Sequence, residues 1–204
     1  AASRLDPVSR RGHYESWFLR GNHPSRPLAF WIRYTVTAPK GRPEDTIAEL
    51  FAIAFDGERM RHVAVREVVP IRSTSFGVGD LDVRIDTSHL NRDQATGRAT
   101  SGGHIIAWDL AFHGGGGPLL LLPEDLYAGG FPKAKALVMR PGVTFGGRLE
   151  GDGEPWPVEL LALRRLPIIT LPWNGARPST TSCAKAGSSV KTEETRLPLP
   201  RRAS

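Results

Sequence analysis

Two acidic residues of this chain stand beside a tyrosine or a tryptophan. Glu15 lies between Tyr14 and Trp17, and Asp109 directly follows Trp108. A carboxylic acid in desolvated surroundings stays protonated near neutral pH, and aromatic faces stabilise a cation that develops next to them. Glu15 and Asp109 are therefore the candidate acids for transferring a proton to a carbon–carbon double bond.

The same residues have a purely structural interpretation. A glutamate on a strand near Arg20 and Arg33 more often forms a cross-strand ion pair, and a row of rings more often belongs to a core. Both interpretations stay open on the sequence alone. If the rings line a pocket instead, the candidate ligand-binding residues are Tyr14, Trp17, Trp31, Arg33, Tyr34, His104 and Trp108.

The candidate residues lie on segments that alternate between two kinds of position. "HYESWFLRG" ends at the turn cluster "GNHPSRP", and the next segment, "LAFWIRYTVTAP", has one apolar face made of Leu28, Phe30, Ile32, Tyr34 and Val36. A period of two is typical of a strand whose two faces meet different surroundings. The two segments are predicted to form an antiparallel hairpin.

Strand patterns continue through the rest of the apolar part of the chain. Asp56-Gly57 gives a tight-turn signal between "AELFAIAF" and "RHVAVREVV". Further strands are predicted in "LDVRIDTSHLN", "GRATSGGHIIAWDLAFHG" and "KALVMRPGVTFGGRLEGDGEPWPVE", the last broken by Gly-Gly and Pro-Gly. Roughly seven or eight strands at hairpin spacing predict an all-β fold, an antiparallel barrel or sandwich.

One segment is ambiguous between helix and strand. "DTIAELFAIAF" places Ile47, Leu50, Phe51 and Ala54 at helical spacing, although it also alternates as a strand would. Its Asp-Gly ending favours a strand that turns into the next one.

The charge of the chain is concentrated at its C-terminal end. Residues 1–159 hold 19 basic and 19 acidic residues, whereas residues 160–204 hold 8 basic and 2 acidic ones. A neutral body has no electrostatic footprint for phosphate, and Trp173 is the single aromatic residue of the tail on which a base could stack. The sequence therefore argues against nucleic acid as a partner.

Residues 160–204 also differ from the body in composition. They are rich in Pro, Ser, Thr, Ala and Arg and show no sustained period. With little apolar area to offset the entropy of ordering, this low-complexity basic tail is predicted to be disordered, from about residue 172. A sharper hypothesis is that the chain departs from its family's reading frame near residue 160. The predicted organisation is a flexible N-terminus at 1–11, a β-domain at 12–159 and the tail at 160–204.

Several motifs of known chemistry are incomplete. "HGGGGP" resembles an oxyanion-hole loop, but no Gly-x-Ser-x-Gly elbow accompanies it, and "GVGD" lacks the remaining residues of a nucleotide-binding loop. The six histidines show no metal-ligand spacing, and Cys183 is the single cysteine. We therefore predict no cofactor and no metal site.

The chain contains no apolar run of the roughly 18 residues that a bilayer-spanning helix needs. The "AASRLDPVSRRGH" segment at its start has no apolar signal core. These features favour a protein that is cytoplasmic or peripheral to a membrane.

Three segments in order carry a family resemblance: "HYESWFLRGNHPSRPLAFWIRYTV", "SGGHIIAWDLAF" and "MRPGVTFGGRLEGDGE". They resemble the first half of the lipocalin-like proteins grouped with bacterial carotenoid 1,2-hydratase (hydroxyneurosporene synthase), with the AttH-type proteins and tocopherol cyclase as more distant members. The family's opening aromatic-Glu-aromatic pattern is matched from Tyr14 to Phe18, and its W-D-L strand by Trp108, Asp109 and Leu110. The resemblance covers residues 12–159.

The resemblance implies an apolar cavity enclosed by two consecutive lipocalin-like domains, of which this chain matches the first. Members with hydratase or cyclase activity protonate an isoprenoid double bond without a redox cofactor. Two functions follow as hypotheses. The first is a lipid- or isoprenoid-binding domain that packs against a missing second domain and contacts a membrane at its surface. The second is a cofactor-independent hydratase or cyclase, in which Glu15 or Asp109 is the acid.

Overall fold

The structure is a computed structural model that describes residues 3, 5–6, 9–78, 80–128, 130–156 and 161–162. Within these residues the chain is built almost entirely from antiparallel strands, as the alternating pattern predicts. The predicted tail lies outside the described residues, apart from the short strand at 161–162, and so does the predicted change of reading frame near residue 160.

The first sheet is a meander of four long strands. Each strand pairs with the next one along the chain, and the strands are β1 (His13–Asn22), β2 (Leu28–Ala38), β3 (Ile47–Asp56) and β4 (Arg61–Pro70). Two short 3₁₀ helices, Pro43–Asp45 and Ile71–Ser73, lie before β3 and after β4. The predicted hairpin of β1 and β2 and the strand character of β3 are both confirmed.

The β3–β4 connection is longer than Asp56-Gly57 suggests. Residues 57–60 form a four-residue turn, in which the Asp56 carboxylate accepts the backbone N–H of Arg59 at 3.0 Å and Met60 takes a positive φ of 50°. The Gly57 N–H donates to the Pro27 carbonyl at 2.8 Å, which ties this turn to the preceding hairpin.

The second sheet takes up most of the rest of the described chain. Its strands begin with β5 (Thr74–Phe76), β6 (Asp82–Ile85), β7 (Ser88–Asn91), β8 (Gln94–Ser101) and β9 (His104–Gly114). An arm follows that contains β10 (Leu119–Leu120), the short helix α1 (Asp125–Ala128) and β11 (Leu137–Val138). The chain then returns through β12 (Val143–Gly151), β13 (Glu154–Trp156) and β14 (Leu161–Ala162). The strand order is β13-β12-β9-β8-β7-β6-β5, with β14 also paired to β12, while β10 and β11 pair with each other.

Two details of the strand prediction are wrong. The sequence predicts roughly seven or eight strands, whereas the described residues form fourteen, of which seven have eight or more residues. The predicted break at Gly146-Gly147 is absent, because β12 runs through both glycines in register with β9. The predicted break at Pro141-Gly142 is confirmed, since β12 begins directly after it.

The two sheets share one hydrophobic core, so the fold is a sandwich. The predicted apolar face of β2 is buried throughout, and β3 contributes Ala48, Leu50, Ala52 and Ala54 to the same side. Across the interior, the Phe30 ring meets the edge of Phe145 at 5.1 Å, and Phe145 meets Phe112 at 5.3 Å. Burial with a period of two, on both sheets, is what positions the candidate residues.

Candidate functional site

The pleat of the first sheet divides the sequence-predicted site residues into two groups. Glu15, Trp17 and Tyr34 point to the inner face, which packs on the second sheet, while Tyr14, Trp31 and Arg33 belong to the outer face. The register follows the same division, because Trp17 lies opposite Tyr34 and Phe18 lies opposite Arg33. The sheet itself therefore separates the two sets of side chains.

Tyr34 and Trp108 meet in the interior and connect the two sheets. The Trp108 Nε1–H donates to the Tyr34 hydroxyl oxygen at 2.8 Å, and the two rings meet edge to face at 6.2 Å. The Tyr34 hydroxyl lies 3.3 Å from the His89 carbonyl and 3.4 Å from the Thr96 carbonyl, either of which it can donate to. Burial raises the pKa of Tyr34, so the phenol stays neutral and keeps its proton for this bond.

Trp17 lies beside this pair with its own polar atom unused. Its side chain is fully buried and stacks on Phe76 at 5.8 Å between ring centroids. Among the described residues, Trp17 Nε1 has no hydrogen-bond partner. A buried donor without an acceptor costs about 1 to 3 kcal/mol, and an unseen water or ligand is a common explanation for one.

Phe76 was missed by the sequence analysis. It lies in β5, a three-residue strand next to the "GVGD" segment, which the sequence analysis considered only as an incomplete nucleotide-binding loop. So short a strand has too few positions for alternation to reveal it. The aromatic type of Phe76, in a stretch otherwise made of small and polar residues, is the one signal that could have identified it.

Glu15 is the most deeply buried of the acidic residues proposed for catalysis. It is 2 % exposed and lies on the inner face, two residues before Trp17. Its Oε2 accepts from the Ser3 hydroxyl at 2.9 Å and lies 3.1 Å from His13 Nε2. The alternative of a cross-strand ion pair does not describe these contacts, because Arg33 belongs to the opposite face and Arg20 is exposed.

The outer face of the first sheet carries alternating rings and guanidinium groups. The Arg33 guanidinium lies 4.1 Å from the Phe51 ring centroid and 5.2 Å from that of Trp31, so it makes cation–π contacts with both rings. Arg66 covers Phe51 from the next strand at 5.4 Å and forms an ion pair with Glu49. Trp31 and Arg33 thus contact each other, but they lie on the opposite face of the sheet from Trp17 and Tyr34. Tyr14 is half-buried on the same outer face.

The remaining predicted residues lie on the surface of the second sheet. His104 is exposed at the start of β9, and its Nδ1 lies 2.8 Å from an Asp152 carboxylate oxygen. The Ile105 backbone N–H donates to the other oxygen at 2.9 Å. The hydrogen bond from Ile105, and after it the one with His104, lower the pKa of Asp152. Asp109 is exposed on the face of β9 that points away from Trp108, where solvent surrounds it.

The described residues contain no group of three or more His, Cys, Asp or Glu side chains arranged to hold a metal ion. Within the same part of the chain, none of the helices combines the length and the apolar character needed to cross a bilayer.

Comparisons with known proteins give a fold likeness. No family model matches the chain, and no curated protein matches it. Among solved structures, the chain is similar to the crystal structure of a "putative AttH" from Nitrosomonas europaea, with a TM-score of 0.55 and 15 % sequence identity. The match covers 83 % of this chain and 53 % of that chain, so this chain spans about half of the similar protein's length. At this identity the likeness shows the fold, and it agrees with the AttH-type part of the sequence resemblance.

Proposed function

We propose that this chain is a lipocalin-like domain that binds an apolar ligand of the lipid or isoprenoid class between its two sheets. The observation that carries the proposal is the buried Trp17 Nε1–H, which has no acceptor among the described residues. A ligand with one polar acceptor at the end of a hydrocarbon body supplies what this donor lacks.

The surroundings of Trp17 suit such a ligand. Phe76 offers a ring face on one side, and the Tyr34–Trp108 pair keeps its own polar atoms satisfied within the apolar interior. A ligand beside Trp17 therefore meets the ring surface of Phe76 and an indole N–H with which it can pair. A carbonyl-bearing isoprenoid, such as a prenylated quinone, fits this description better than a plain hydrocarbon.

A conservative substitution separates the indole N–H from the ring that carries it. Trp17→Phe keeps a ring to stack on Phe76 but removes the donor, so affinity for a prenylated quinone should fall about two- to tenfold. Affinity for a straight-chain polyene without a carbonyl should stay the same. Both are measured by titrating ligand and following quenching of tryptophan fluorescence.

Trp31→Phe is the matched control, because Trp31 belongs to the outer face and its loss leaves the interior unchanged. Equal loss of affinity in Trp17→Phe and Trp31→Phe contradicts the interior site. Absence of binding for both ligand types rejects the proposal altogether.

A second candidate function is a hydratase or cyclase that acts on an isoprenoid double bond. The almost complete burial of Glu15 on the inner face, two residues from Trp17, favours it. A protonated carboxyl group at this position would transfer its proton to one alkene carbon, and water or a second nucleophilic group of the substrate would add to the other. Trp17 would face the carbocation formed in between.

The two candidate functions differ in their response to Glu15→Gln. If Glu15 is the acid, this isosteric change abolishes conversion of a polyene or prenylated quinone while binding persists, and Asp109→Asn at the exposed site does not. Product analysis by chromatography measures conversion. Binding without turnover in the unaltered chain rejects the enzyme hypothesis and leaves ligand binding in place.

The similar structure is of a chain longer than this one, and the difference in length bears on what covers the first sheet. Because this chain spans about half of that protein, we infer that the outer face of the first sheet packs against a second half in a longer relative. Phe55 and Val68 on this face are 42 % and 52 % exposed, which is typical of a surface that another element covers. Size-exclusion chromatography of the chain alone tests this, since an uncovered apolar face should promote self-association.

A further inference from the structure

A cluster of exposed apolar side chains lies on one segment of the described chain, between β9 and β12. Four of the nine large hydrophobic residues that are exposed in the described part fall within thirteen positions: Leu119, Leu120, Leu121 and Phe131, at 51 %, 39 %, 50 % and 78 % exposure. We call residues 119–128 and 130–138, which include β10, α1 and β11, the apolar arm. Single exposed apolar residues are ordinary, whereas a cluster of this kind usually marks an interaction surface.

The apolar arm is held in place at its base. Gly114 and Gly115 both take positive φ, at 66° and 89°, and turn the chain out of β9. The Arg140 guanidinium donates to the Gly114 carbonyl at 2.7 Å, and the Gly116 N–H donates to the Pro141 carbonyl at 2.8 Å. The two ends of the arm are thereby joined to each other and to the second sheet.

Tyr127 fixes the interior of the arm. Its hydroxyl accepts the Leu121 N–H at 3.0 Å and donates to the Ala136 carbonyl at 2.5 Å. This side chain thus connects the segment after β10 with the segment before β11. The buried Lys135 ammonium donates to the Tyr127 carbonyl at 2.9 Å. These hydrogen bonds therefore hold the backbone of the arm in place. Its exposed apolar side chains contact water at positions where an ordinary surface loop has polar residues.

The charges of the arm indicate the kind of surface it fits. Residues 119–138 carry two basic residues, Lys133 and Lys135, and two acidic ones, Glu124 and Asp125. A charge-balanced arm has no electrostatic preference for an anionic surface, while its aliphatic and aromatic side chains gain free energy by entering an apolar boundary. A zwitterionic lipid surface offers such a boundary without requiring a complementary shape.

We propose that the apolar arm inserts its exposed leucines and Phe131 into the interface of a zwitterionic bilayer. The domain is then peripheral to the membrane, and the arm is the surface through which it meets the source of its ligand. This second part rests on the proposed binding function, because a lipid or isoprenoid ligand is present mainly in bilayers. The insertion itself rests on the arm alone.

Co-sedimentation of the full chain with phosphatidylcholine vesicles, without added ligand, tests the insertion. The unaltered chain should pellet with the vesicles, and raising the salt from low to high concentration should change its partition coefficient less than about twofold. The pair Leu119→Asp and Leu121→Asp should lower that coefficient at least about tenfold, because two leucine side chains no longer gain from burial. Phe131→Asp, at the most exposed position of the arm, should lower it as well with the fold intact.

Val68→Asp is the matched control, because Val68 is as exposed as Leu119 but lies on the first sheet. The proposal is overturned if the unaltered chain stays in the supernatant, if the arm variants and Val68→Asp bind alike, or if binding requires anionic lipid and disappears at high salt. It is also overturned if the arm variants convert a dimer to a monomer on size exclusion, since the arm is then a contact between copies.

The same variants separate this proposal from the proposed function. If arm variants bind prenylated quinone in vesicle-free solution but no longer bind vesicles, both proposals are supported. If vesicle binding persists while no apolar ligand binds, the ligand-binding function fails and the lipid contact stands. If the ligand binds but vesicles do not, the lipid contact fails and the ligand-binding function stands.

Discussion

Tyr34 joins the two sheets by hydrogen bonds in the buried interior. Its hydroxyl accepts from Trp108 on β9 and lies beside carbonyls of the paired residues His89 and Thr96 on β7 and β8. One phenol thus contacts three strands of the opposite sheet. The bond to Trp108 is specific, because both side chains are buried and have few alternative partners within the core.

Tyr34→Phe should destabilise the fold by about 1 to 3 kcal/mol. The substitution keeps the ring and its packing but leaves the Trp108 Nε1–H buried without an acceptor. Urea unfolding of the two proteins measures the difference. Trp108→Phe and the double variant complete a double-mutant cycle. Each substitution should lower the free energy of unfolding less when the other is already present than when it is made alone. A change below about 0.5 kcal/mol for Tyr34→Phe contradicts this role.

At the residue scale, sequence identified side chains but could not identify their partners. The alternation of β2 correctly places Tyr34 on the buried face, and the pattern of β9 places Trp108 there too. That the two meet depends on how one sheet lies over the other, which no local pattern encodes. For the same reason, the sequence could not tell that Trp31 and Arg33 are separated from Trp17 by the sheet.

At the scale of elements, β12 shows how two neighbouring glycines take different roles. Gly147 has a φ of 123° and lies against the backbone of β9, where an added Cβ would overlap the Asp109 carbonyl oxygen and lie 3.1 Å from its carbon. An added Cβ on Gly146 would meet no atom within 4 Å. The "GG" pair therefore continues the strand and permits a close approach of two backbones, rather than ending the strand.

Gly147→Ala should destabilise the protein by about 2 kcal/mol or more, because both the backbone conformation and the close approach exclude a side chain. Gly146→Ala, the adjacent control, should stay within about 1 kcal/mol of the unaltered protein. Urea unfolding of both variants provides the comparison. Equal stability of the two variants would show that β12 accommodates a side chain at Gly147 by shifting away from β9.

The long strands could be predicted from sequence because they are long enough to show alternation. β1 to β4 each have at least ten residues, and the Asp-Gly ending correctly favours a strand for β3 over its helical stripe. The apolar arm could not be predicted, since β10 and β11 have two residues each and are defined by pairing rather than by pattern. Its Tyr127 bridge is likewise a contact between positions with no shared period.

At the scale of the whole molecule, one core serves both sheets, so a perturbation in the interior affects both. Four charged residues are buried among the described residues: Glu15 on the inner face of the first sheet, Glu49 on its outer face, Asp56 at the end of β3 and Lys135 in the apolar arm. The acidic groups whose pKa values are lowered, Glu58 by Arg26 and Asp152 by Ile105, lie on the surface, where water screens them. Tyr34, whose pKa is raised by burial, adds a dependence of global stability on alkaline pH.

Burial raises the pKa of Tyr34 above the value of about 10 that a tyrosine has in the unfolded chain. Below pH 10 the phenol is neutral in both states and Tyr34 does not change stability with pH. As pH rises through this value, the unfolded chain loses the proton while the folded one retains it, so the free energy of unfolding falls. Between pH 9 and pH 11 the Tyr34 contribution should decrease by about 1.4 kcal/mol. Tyr34→Phe is the control, because the two proteins differ in this one phenol and share every other ionisable group. Urea unfolding of both at the two pH values should show the larger loss in the unaltered protein; parallel losses would mean that solvent reaches the Tyr34 hydroxyl and that the sheets open locally around it.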